Sequence, residues 1–361
     1  MSQQVARSIV LVDLDAFYAS VEVLEEPKLA GKPLLIGGSP TGRGVVAAAS
    51  YEARAFGCHS AMPMARAVRL CPEAVVLRPR FSLYSEYSKR VMEVLRRESP
   101  LVQQMSIDEA YVELTPMAST IEEAGGLAHR MQGRIRVELG LPNSVGLAAN
   151  KMVAKVACET GKPSGFVVVR PGTEAAFLAA LDVRVLPGIG PRSTARLKAQ
   201  GLDTLGQVAA APVGVLTSTL GPWGASLQRR AAGEDASPVR TEHETKSISA
   251  EETFEVDVDD EQALKEELTR MAARLAGSLE RKGMVGRTVT LKLRFADFTT
   301  VTRSASRERA TAGAGVIHEE AIRLLDANWR PGEPVRLIGV GVSNMRQLTA
   351  PGQLRMEELD A

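Results

Sequence analysis

Near the start of the chain, apolar residues first form a continuous run and then occur at spaced positions. Residues 8–14 predict a buried strand, and residues 16–24 predict the start of a helix, because apolar positions become spaced without an intervening proline. Strand and helix patterns then alternate through two short strands within 33–50, helices near 51–56 and 64–70, a helix over 84–97, two strands within 101–114, a helix over 121–139, a strand over 143–147 and a helix from about 150. This alternation predicts a mixed sheet covered by helices.

The second half of the chain changes pattern twice. Residues 172–232 predict short helices broken by proline and glycine, and the polar stretch 232–244 predicts a linker. The pattern that follows predicts a strand over 246–256, a helix over 259–282, two strands within 286–305, a helix over 313–327 and a strand over 334–343. This β-α-β-β-α-β order is the split-βαβ arrangement. From residue 347 the chain has no core pattern, which predicts a flexible tail.

Length and composition predict an ordinary globular protein. With 361 residues, 45% of them hydrophobic, the chain is long enough for two to four domains with apolar cores. It has no apolar stretch of the roughly 20 residues that cross a bilayer and no signal-peptide pattern, so we expect a cytoplasmic protein. The 3 cysteines and 4 histidines are scattered, so any catalytic metal is expected on oxygen ligands.

The net charge of +1 favours no particular partner, but basic residues concentrate between Arg281 and Arg309. Within this stretch, apolar residues from Val289 to Phe295 alternate with Thr288, Thr290, Lys292 and Arg294. Such alternation predicts a sheet with one packed face and one basic face. A basic face suits a phosphate backbone, although an ordinary solvated face would show the same pattern.

Acidic residues occur where two predicted strands end. Asp13 and Asp15 follow the first strand in VDLDAFYASVE, and Asp108 and Glu109 lie at the bend between two strands in MSIDEAYVEL. Pairing of these strands would bring Asp13 beside Asp108 and Glu109. Because carboxylates held together repel each other, such a cluster predicts Mg²⁺, or two ions that assist phosphoryl transfer. Helix caps or surface acids would also explain these positions.

Two further segments predict phosphate contacts. Tyr51 and Arg54 share a helix face, and Lys162 lies in the TGKPSG turn, so these three side chains could bind a triphosphate. The turn LPGIG, which contains Gly188 and Gly190, predicts a helix-hairpin-helix contact to a DNA backbone. A solvated lysine and a purely structural turn remain the alternatives.

Six segments together resemble the Y-family translesion DNA polymerases, and within them the bacterial DNA polymerase IV branch. They are VDLDAFYASVE, SYEARAFG, MSIDEAYVEL, GLAANKMVAKVACETGKPSG, LPGIG and KSIS, which occur in the family's order. The resemblance implies an α+β multidomain, right-hand polymerase with a mixed-sheet palm (1–16 and 83–169), fingers (17–82), a helical thumb with a helix-hairpin-helix (170–235), a linker (236–245), a β-α-β-β-α-β little finger (246–345) and a tail (346–361).

The resemblance also implies residue roles. The metal ligands match Asp13, Asp108, Glu109 and the backbone carbonyl of Leu14, binding two Mg²⁺ ions for which Mn²⁺ can substitute; Asp15 would instead hold local structure. Tyr18 matches the steric gate against ribose, with Phe17 beside it. Triphosphate contacts match Tyr51, Arg54 and Lys162, and Ala47 and Ala61 match the small residues above the nascent base pair. The DNA-binding residues would include Gly188, Gly190, Arg192, Lys246, Lys292, Arg294 and Arg303.

The implied activity is low-fidelity synthesis on primer-template DNA from deoxynucleoside triphosphates, without a proofreading exonuclease, by a monomer. Two departures from the family pattern stand out. Ala48 replaces a hydroxyl that relatives often use on the triphosphate, and the tail QLTAPGQLRMEELDA is a poor version of a peptide that binds the sliding clamp. The resemblance therefore implies at most weak clamp binding, through Gln353, Leu354 and Met356.

Other protein classes explain less of the sequence. A phosphohydrolase of the haloacid dehalogenase type could use Asp13 and Asp15, but that family expects Thr or Val where Phe17 stands. A nucleotide cyclase would need neither a helix-hairpin-helix nor a basic sheet. A non-catalytic DNA-binding protein would leave the three acids without a role.

Overall fold

The computed structural model describes residues 6–242 and 244–348. It divides the chain into two compact units, one ending at Glu242 and the other following it. The division falls within the polar stretch that the sequence predicts as a linker. Among the described helices, none is long and apolar enough to cross a membrane.

The first unit alternates strands and helices up to residue 168 and is helical afterwards. Its strands are β1 (Ile9–Leu14), β2 (Leu34–Gly37), β3 (Val46–Ala49), β4 (Val75–Leu77), β5 (Val102–Gln104), β6 (Glu109–Glu113), β7 (Asn143–Ala148) and β8 (Phe166–Val168). Its helices are α1 (Phe17–Glu25), α2 (Tyr51–Ala55), α3 (Met64–Leu70), α4 (Phe81–Glu98), α5 (Ile121–Leu139), α6 (Lys151–Gly161), α7 (Glu174–Ala179), α8 (Pro191–Lys198), α9 (Leu205–Ala210), α10 (Val213–Leu220) and α11 (Trp223–Ala231).

A five-stranded sheet in the order β5-β6-β1-β7-β8 forms the centre of this unit. All neighbours are antiparallel except β7 and β8, so the sheet is mixed. The central strand β1 is buried on both faces, because Val10 and Val12 pack into one core and Ile9 and Leu11 into the other. This double burial explains why the strand reads as one continuous apolar run. Asp13 lies within the last two residues of this strand, and Asp15 follows it.

A second, three-stranded sheet in the order β3-β2-β4 lies between α1 and α4 in the chain. Ser50 begins α2 by accepting a hydrogen bond from the Ala53 amide, 3.3 Å away, as an N-cap residue does. The two cysteines of this region, Cys58 and Cys71, are buried in its core, and the third, Cys158, is buried in α6 under the central sheet.

The helical part contains the LPGIG turn. The element before the turn, Val183–Val185, is a single turn of 3-10 helix, whereas Pro191–Lys198 after it is an α-helix. The sequence predicts two short helices here, and the first is shorter than expected because Pro187 ends it after one turn. Gly188 has a φ of 95°, a conformation that favours glycine.

Residues 233–240 are held against the first unit rather than forming a free linker. The side chain of Asn150 donates to the Gly233 carbonyl (2.8 Å), and the Met152 amide donates to Asp235 (3.1 Å). Arg7 then donates to the Ser237 carbonyl (3.2 Å). Most of the predicted linker therefore belongs to the first unit, which ends at Glu242.

The second unit has the element order expected from its pattern. Its elements are β9 (Ser247–Val258), α12 (Glu261–Arg281), β10 (Met284–Phe295), β11 (Thr300–Thr311), α13 (Ala314–Asn328) and β12 (Val335–Gln347). The antiparallel sheet has the order β11-β10-β12-β9, and both helices pack on one face. The last strand continues through Gln347, which pairs with Met284, so the ordered domain extends two residues beyond the predicted limit of 345.

Candidate active site

A pocket of about 250 Å³ lies at the end of β1. Seven parts of the first unit supply its walls: the end of β1, the start of α1, β3, α2, the loop after α2 at Ser60, the bend before β6 and the turn after α6. The predicted site residues that line it are Asp13, Leu14, Phe17, Tyr18, Ala47, Tyr51, Arg54, Asp108 and Lys162, and Ala48 lines it as well. Folding thus brings together residues that are up to 149 positions apart in the chain.

The three acids converge through strand pairing. Asp13 on β1 pairs directly with Glu109 on β6, and the Leu14 amide donates to the Asp108 carbonyl at 3.0 Å. Asp108 precedes β6, outside its regular alternation, so it can face the pocket while Glu109 occupies the first strand position. Glu109 is not among the residues that line the pocket.

Each acid has a partner within the protein. Lys162 contacts Asp13 (2.8 Å) and Glu159 (2.7 Å), Lys155 on α6 forms an ion pair with Glu109, and the Ser106 hydroxyl donates to Asp108. Sequence reasoning missed Lys155. A sequence signal was its position in GLAANKMVAKVACETGKPSG, one of the six segments that carry the family resemblance, on the helix that precedes the Lys162 turn.

Burial controls the protonation of Asp13. It raises the pKa of Asp13 to about 6, although the adjacent Lys162 acts in the opposite direction. Burial also lowers the pKa of Lys162, but Asp13 and Glu159 together raise this pKa above its ordinary value. The lysine therefore stays charged beside a carboxyl group that would gain from an additional positive charge.

The donor atoms of this site suit a hard divalent cation, because carboxylates and a backbone carbonyl are the oxygen ligands that Mg²⁺ and Mn²⁺ prefer. Over residues 6–242 and 244–348, no three acidic, histidine or cysteine side chains are already gathered as a complete cation site. Lys155 and Lys162 supply the positive charge next to Glu109 and Asp13 instead. These acids would have to leave their lysines, at least in part, to bind a cation.

Tyr18 is held in place by other aromatic rings. Its ring stacks on Tyr84 with centroids 4.1 Å apart and an interplanar angle of 14°, and Phe81 meets it edge-on at 6.1 Å. Phe17 packs beside it at 5.6 Å and is only 3% exposed, so Phe17 is a core residue whose edge reaches the pocket. Burial, with a contribution from Asp108, raises the pKa of Tyr18, so its hydroxyl keeps its proton.

Two of the predicted phosphate contacts, Tyr51 and Arg54, lie on α2, whereas the third, Lys162, contacts Asp13. The guanidinium of Arg54 lies 4.8 Å from the Tyr51 ring centroid, and its Nε donates to the Ala49 carbonyl at 3.1 Å. The Tyr51 hydroxyl donates to Asp15 at 3.1 Å. Asp15 itself is buried and does not line the pocket, which agrees with a structural role for it.

The small residues predicted to lie above the base pair differ in their relation to the pocket. Ala47 is exposed towards the pocket on β3, and Ala48 lines it with a partly buried side chain. Ala61 does not line the pocket. It lies next to β3, where its amide donates to the Val46 carbonyl (2.8 Å), and its φ is 67°. An alanine fits this left-handed conformation better than a branched residue would.

The predicted DNA contacts of the helical part lie on an exposed turn. Gly188, Gly190 and Arg192 are exposed, and Gly190 is the N-cap of α8. Arg230 supports the turn by donating to the Pro187 carbonyl at 2.9 Å. The start of this helix, from Gly190 to Arg192, is therefore exposed.

In the second unit, the sheet face opposite the helices carries hydroxyl groups. Thr288 pairs with Ser306 (2.8 Å) and Thr290 with Ser304 (2.9 Å), while Lys292 and Arg294 continue the same row on β10. We call this surface the open sheet face. Its residues on β10 and β11 are Thr288, Thr290, Lys292, Arg294, Thr300, Thr302, Ser304 and Ser306.

Two features of this region were not evident from the sequence. Arg303 pairs with the buried Leu291, so it belongs to the face that the helices cover, although it is exposed at the edge strand. Lys292 forms an ion pair with Glu251 of β9 (2.7 Å), reaching across Gly339 of β12, where a Cβ would lie 2.8 Å from the Glu251 side chain. Lys246, which precedes β9, is exposed.

Comparison with known proteins gives the family. The model of the impB/mucB/samB family matches residues 12–159, and the model of its C-terminal domain matches residues 245–356. A DNA polymerase IV from Dehalococcoides mccartyi (strain CBDB1) is 42% identical, covering 98% of this chain and 93% of the relative. A DNA polymerase IV from Streptomyces coelicolor is 46% identical over 95% of this chain and 72% of the relative.

Comparison with solved structures gives the same family. A chimera of the Y-family DNA polymerases Dbh and Dpo4 superimposes with a TM-score of 0.84 at 26% identity, over 94% of this chain and 99% of that one. DinB from Sulfolobus solfataricus matches with a TM-score of 0.68 at 26% identity, over 93% and 98%. The chain therefore belongs to the impB/mucB/samB family of Y-family DNA polymerases. It has the right-hand polymerase fold and is a DNA-directed DNA polymerase.

Proposed function

We propose that the chain performs template-directed, low-fidelity DNA synthesis across damaged templates, adding deoxynucleotides to a primer 3′-hydroxyl. The observation that carries this proposal is the pocket at the end of β1, which combines two of the acids, the Tyr18 ring and the two basic side chains of Arg54 and Lys162. The primer oxygen would bond to the α-phosphorus while the bond to the bridging oxygen breaks and pyrophosphate leaves.

The acids would hold divalent cations. Asp13, Asp108, Glu109 and the Leu14 carbonyl are the ligands in this proposal, with two Mg²⁺ ions that Mn²⁺ can replace. Such ions neutralise charge on the attacking and leaving oxygens when bound. Lys155 and Lys162 would keep Glu109 and Asp13 near the required positions beforehand.

The basic side chains that line the pocket would bind the triphosphate. Arg54 can make charge-assisted hydrogen bonds to phosphate oxygens, and Lys162 can supply a point charge. With Ala48 in place of a hydroxylated residue, β3 offers no side-chain donor at that position. These basic groups would orient the nucleotide and stabilise the departing pyrophosphate.

Two properties of synthesis, selectivity for deoxyribose and low fidelity, would follow from the other residues around the pocket. Tyr18, fixed by Tyr84 and Phe81, would exclude a ribose 2′-hydroxyl because the stacked ring cannot move aside. The short side chains of Ala47 and Ala61 would leave space above the base pair, so a misfitting or damaged pair would meet little steric rejection. We expect no proofreading activity to correct such insertions.

Binding of primer-template DNA would use both units. We propose the palm (1–16 and 83–169), fingers (17–82) and thumb (170–235) as parts of the first unit, and the little finger as the second. The turn at Gly188 and Gly190 would meet the backbone through amides, and the open sheet face through hydroxyl groups, Lys292 and Arg294. We expect a monomer. The possible clamp-binding residues Gln353, Leu354 and Met356 lie outside the described residues.

Primer extension tests the proposal directly. The full chain, a primed template with or without a lesion, the four deoxynucleoside triphosphates and Mg²⁺ should give template-dependent extension on both templates. Omission of the divalent cation should abolish it, and Mn²⁺ should restore it. Absence of extension on the undamaged template would refute the proposed function, and a sliding clamp added in parallel measures any stimulation.

A further inference from the structure

Asp15 lies behind the pocket wall and is 2% exposed. Its carboxylate accepts hydrogen bonds from three parts of the first unit. The Tyr51 hydroxyl of α2 lies 3.1 Å from Oδ1, the Ser144 hydroxyl of β7 lies 2.9 and 3.0 Å from the two oxygens, and the Ser164 amide lies 2.8 Å from Oδ2. A buried carboxylate is stable only when its oxygens are satisfied in this way.

Two of these donors belong to the segments that carry the phosphate-binding side chains. Tyr51 supports the guanidinium of Arg54 at 4.8 Å, and Ser164 follows Lys162 by two residues in the same turn. Ser164 has a φ of 54°, so the turn presents its amide to Asp15 in a conformation that is uncommon for a non-glycine residue. Asp15 thus connects the α2 side of the pocket to the lysine side.

The hydrogen bond also restricts what Tyr51 can do. Its single hydroxyl proton points to Asp15, and burial together with Asp15 raises the pKa of Tyr51 to about 12. The hydroxyl therefore has no proton left to donate to a phosphate while this bond exists. In this arrangement the Tyr51 ring supports Arg54, and Arg54 is the group that reaches the ligand.

We infer that Asp15 is a positioning residue for the triphosphate of the incoming nucleotide, because it fixes the Tyr51–Arg54 pair relative to Lys162. This inference rests on the proposed function. Asp15 is not a catalytic residue, since it does not line the pocket and touches none of the three acids through its carboxylate. Its loss should therefore weaken nucleotide binding more than it slows the chemical step.

The test is single-nucleotide insertion with the full chain and primed DNA, using D15N, Y51F and the double variant. In D15N, an NH₂ group in place of Oδ2 would face the donating Ser164 amide and break that hydrogen bond. An NH₂ group in place of Oδ1 would donate to the Tyr51 hydroxyl and reverse that hydrogen bond. We expect the KM for the deoxynucleoside triphosphate to rise about tenfold in D15N, with kcat changed less than about threefold. Y51F should raise this KM by a smaller factor, and the double variant should resemble D15N because the two residues act through one contact.

Y87F is the matched control, because the Tyr87 hydroxyl donates to the carboxylate of Glu25 at 2.9 Å, away from the pocket. It should leave KM unchanged. A fall in kcat without a change in KM would overturn the inference, as would additive effects of D15N and Y51F, which indicate a merely structural role. If D15N does not fold, an unchanged KM in Y51F would overturn it equally. Absence of extension by the unsubstituted chain would instead refute the proposed function itself.

Discussion

The pocket at the end of β1 and the open sheet face both combine acids with bases, but in different surroundings. In the pocket, Asp13 and Lys162 are largely buried, with 10% and 19% of their side chains exposed. On the open sheet face, the side chains of Lys292 and Glu251 are 30% and 41% exposed. Charge interactions are strong where water is excluded and weak where it is not. Substitutions in the pocket should therefore act on chemistry, and those on the sheet on affinity and its salt dependence.

The largest effect is expected from D108A. Removal of this carboxylate should lower the rate of primer extension at least about a thousandfold, because a proposed cation ligand is lost. DNA affinity, measured by fluorescence anisotropy, should remain unchanged. E86A on the exposed side of α4 is the control and should extend normally. Substantial synthesis by D108A would contradict the assignment of the site.

Y18A should come next. Without the ring that Tyr84 stacks against, a ribose 2′-hydroxyl would meet no obstacle, and discrimination against ribonucleotides should fall about a hundredfold. The measurement is the ratio of kcat/KM for a deoxynucleotide and the matching ribonucleotide. F298A, an exposed aromatic residue of the second unit, is the control. Unchanged sugar selectivity in Y18A would remove Tyr18 from the gate.

D13N tests the electrostatics of the pocket through stability. The pKa of Asp13 is about 6 in the folded protein and 3.8 ordinarily, so the folded state binds the proton more tightly. The contribution of Asp13 to the free energy of unfolding should therefore fall as the pH rises from about 4 to 6. D13N removes the carboxyl group whose ionisation causes this fall. It should therefore stabilise the metal-free protein by up to about 3 kcal/mol at pH 8, but not below pH 4.

Denaturant unfolding in the presence of a chelator measures this difference. D297N is the control, because hydrogen bonds from Thr299 lower the pKa of Asp297, so its removal should not stabilise the protein. The same stability change for D13N at both pH values would show that burial of its charge is not the cause.

R294A should reduce DNA affinity a few-fold and lower the slope of log K against log salt by about one, the amount expected for a single phosphate contact. R303A is the informative comparison, because Arg303 belongs to the face that the helices cover. R303A should therefore change the slope of log K against log salt less than R294A does. Equal effects would mean that DNA contacts the edge of the sheet rather than the open sheet face.

The smallest effect is expected from E251Q. Glu251 neutralises Lys292 at 2.7 Å, and a DNA phosphate would have to replace it. Loss of this acid should therefore strengthen DNA binding about two- to threefold at low salt and less at high salt. E252Q is the control, because Glu252 pairs with the buried Ile338 and faces the helix side. It should have no such effect. A weaker affinity in E251Q would show that the ion pair positions Lys292 for binding.

The sequence predicted most elements because their patterns are strong. The continuous run of β1, the apolar stripe of α12 and the alternation of β10 each arise from burial on one or both faces. Two strands, β4 and β8, were missed. Each has only 3 residues and is defined by parallel pairing to a distant strand, β2 or β7, rather than by its own pattern.

For the site, the sequence indicated which residues take part but not which residues contact them. Motif order located Asp13, Asp108 and the phosphate-binding side chains, but it could not show the partners that the fold supplies. Lys155, Tyr84 and Glu251 contact site residues only because separate strands and helices meet. The face on which Arg303 lies could not be predicted for a similar reason, since strand register decides the face and cannot be counted reliably across a hairpin.

The buried cysteines have a consequence for chemical resistance. Burial raises the pKa of all three thiols, Cys58, Cys71 and Cys158, so the reactive thiolate form is scarce at neutral pH. Peroxides and alkylating agents react with thiolates on accessible sulfur atoms. The folded enzyme should therefore tolerate the oxidants and alkylators that damage the DNA it copies.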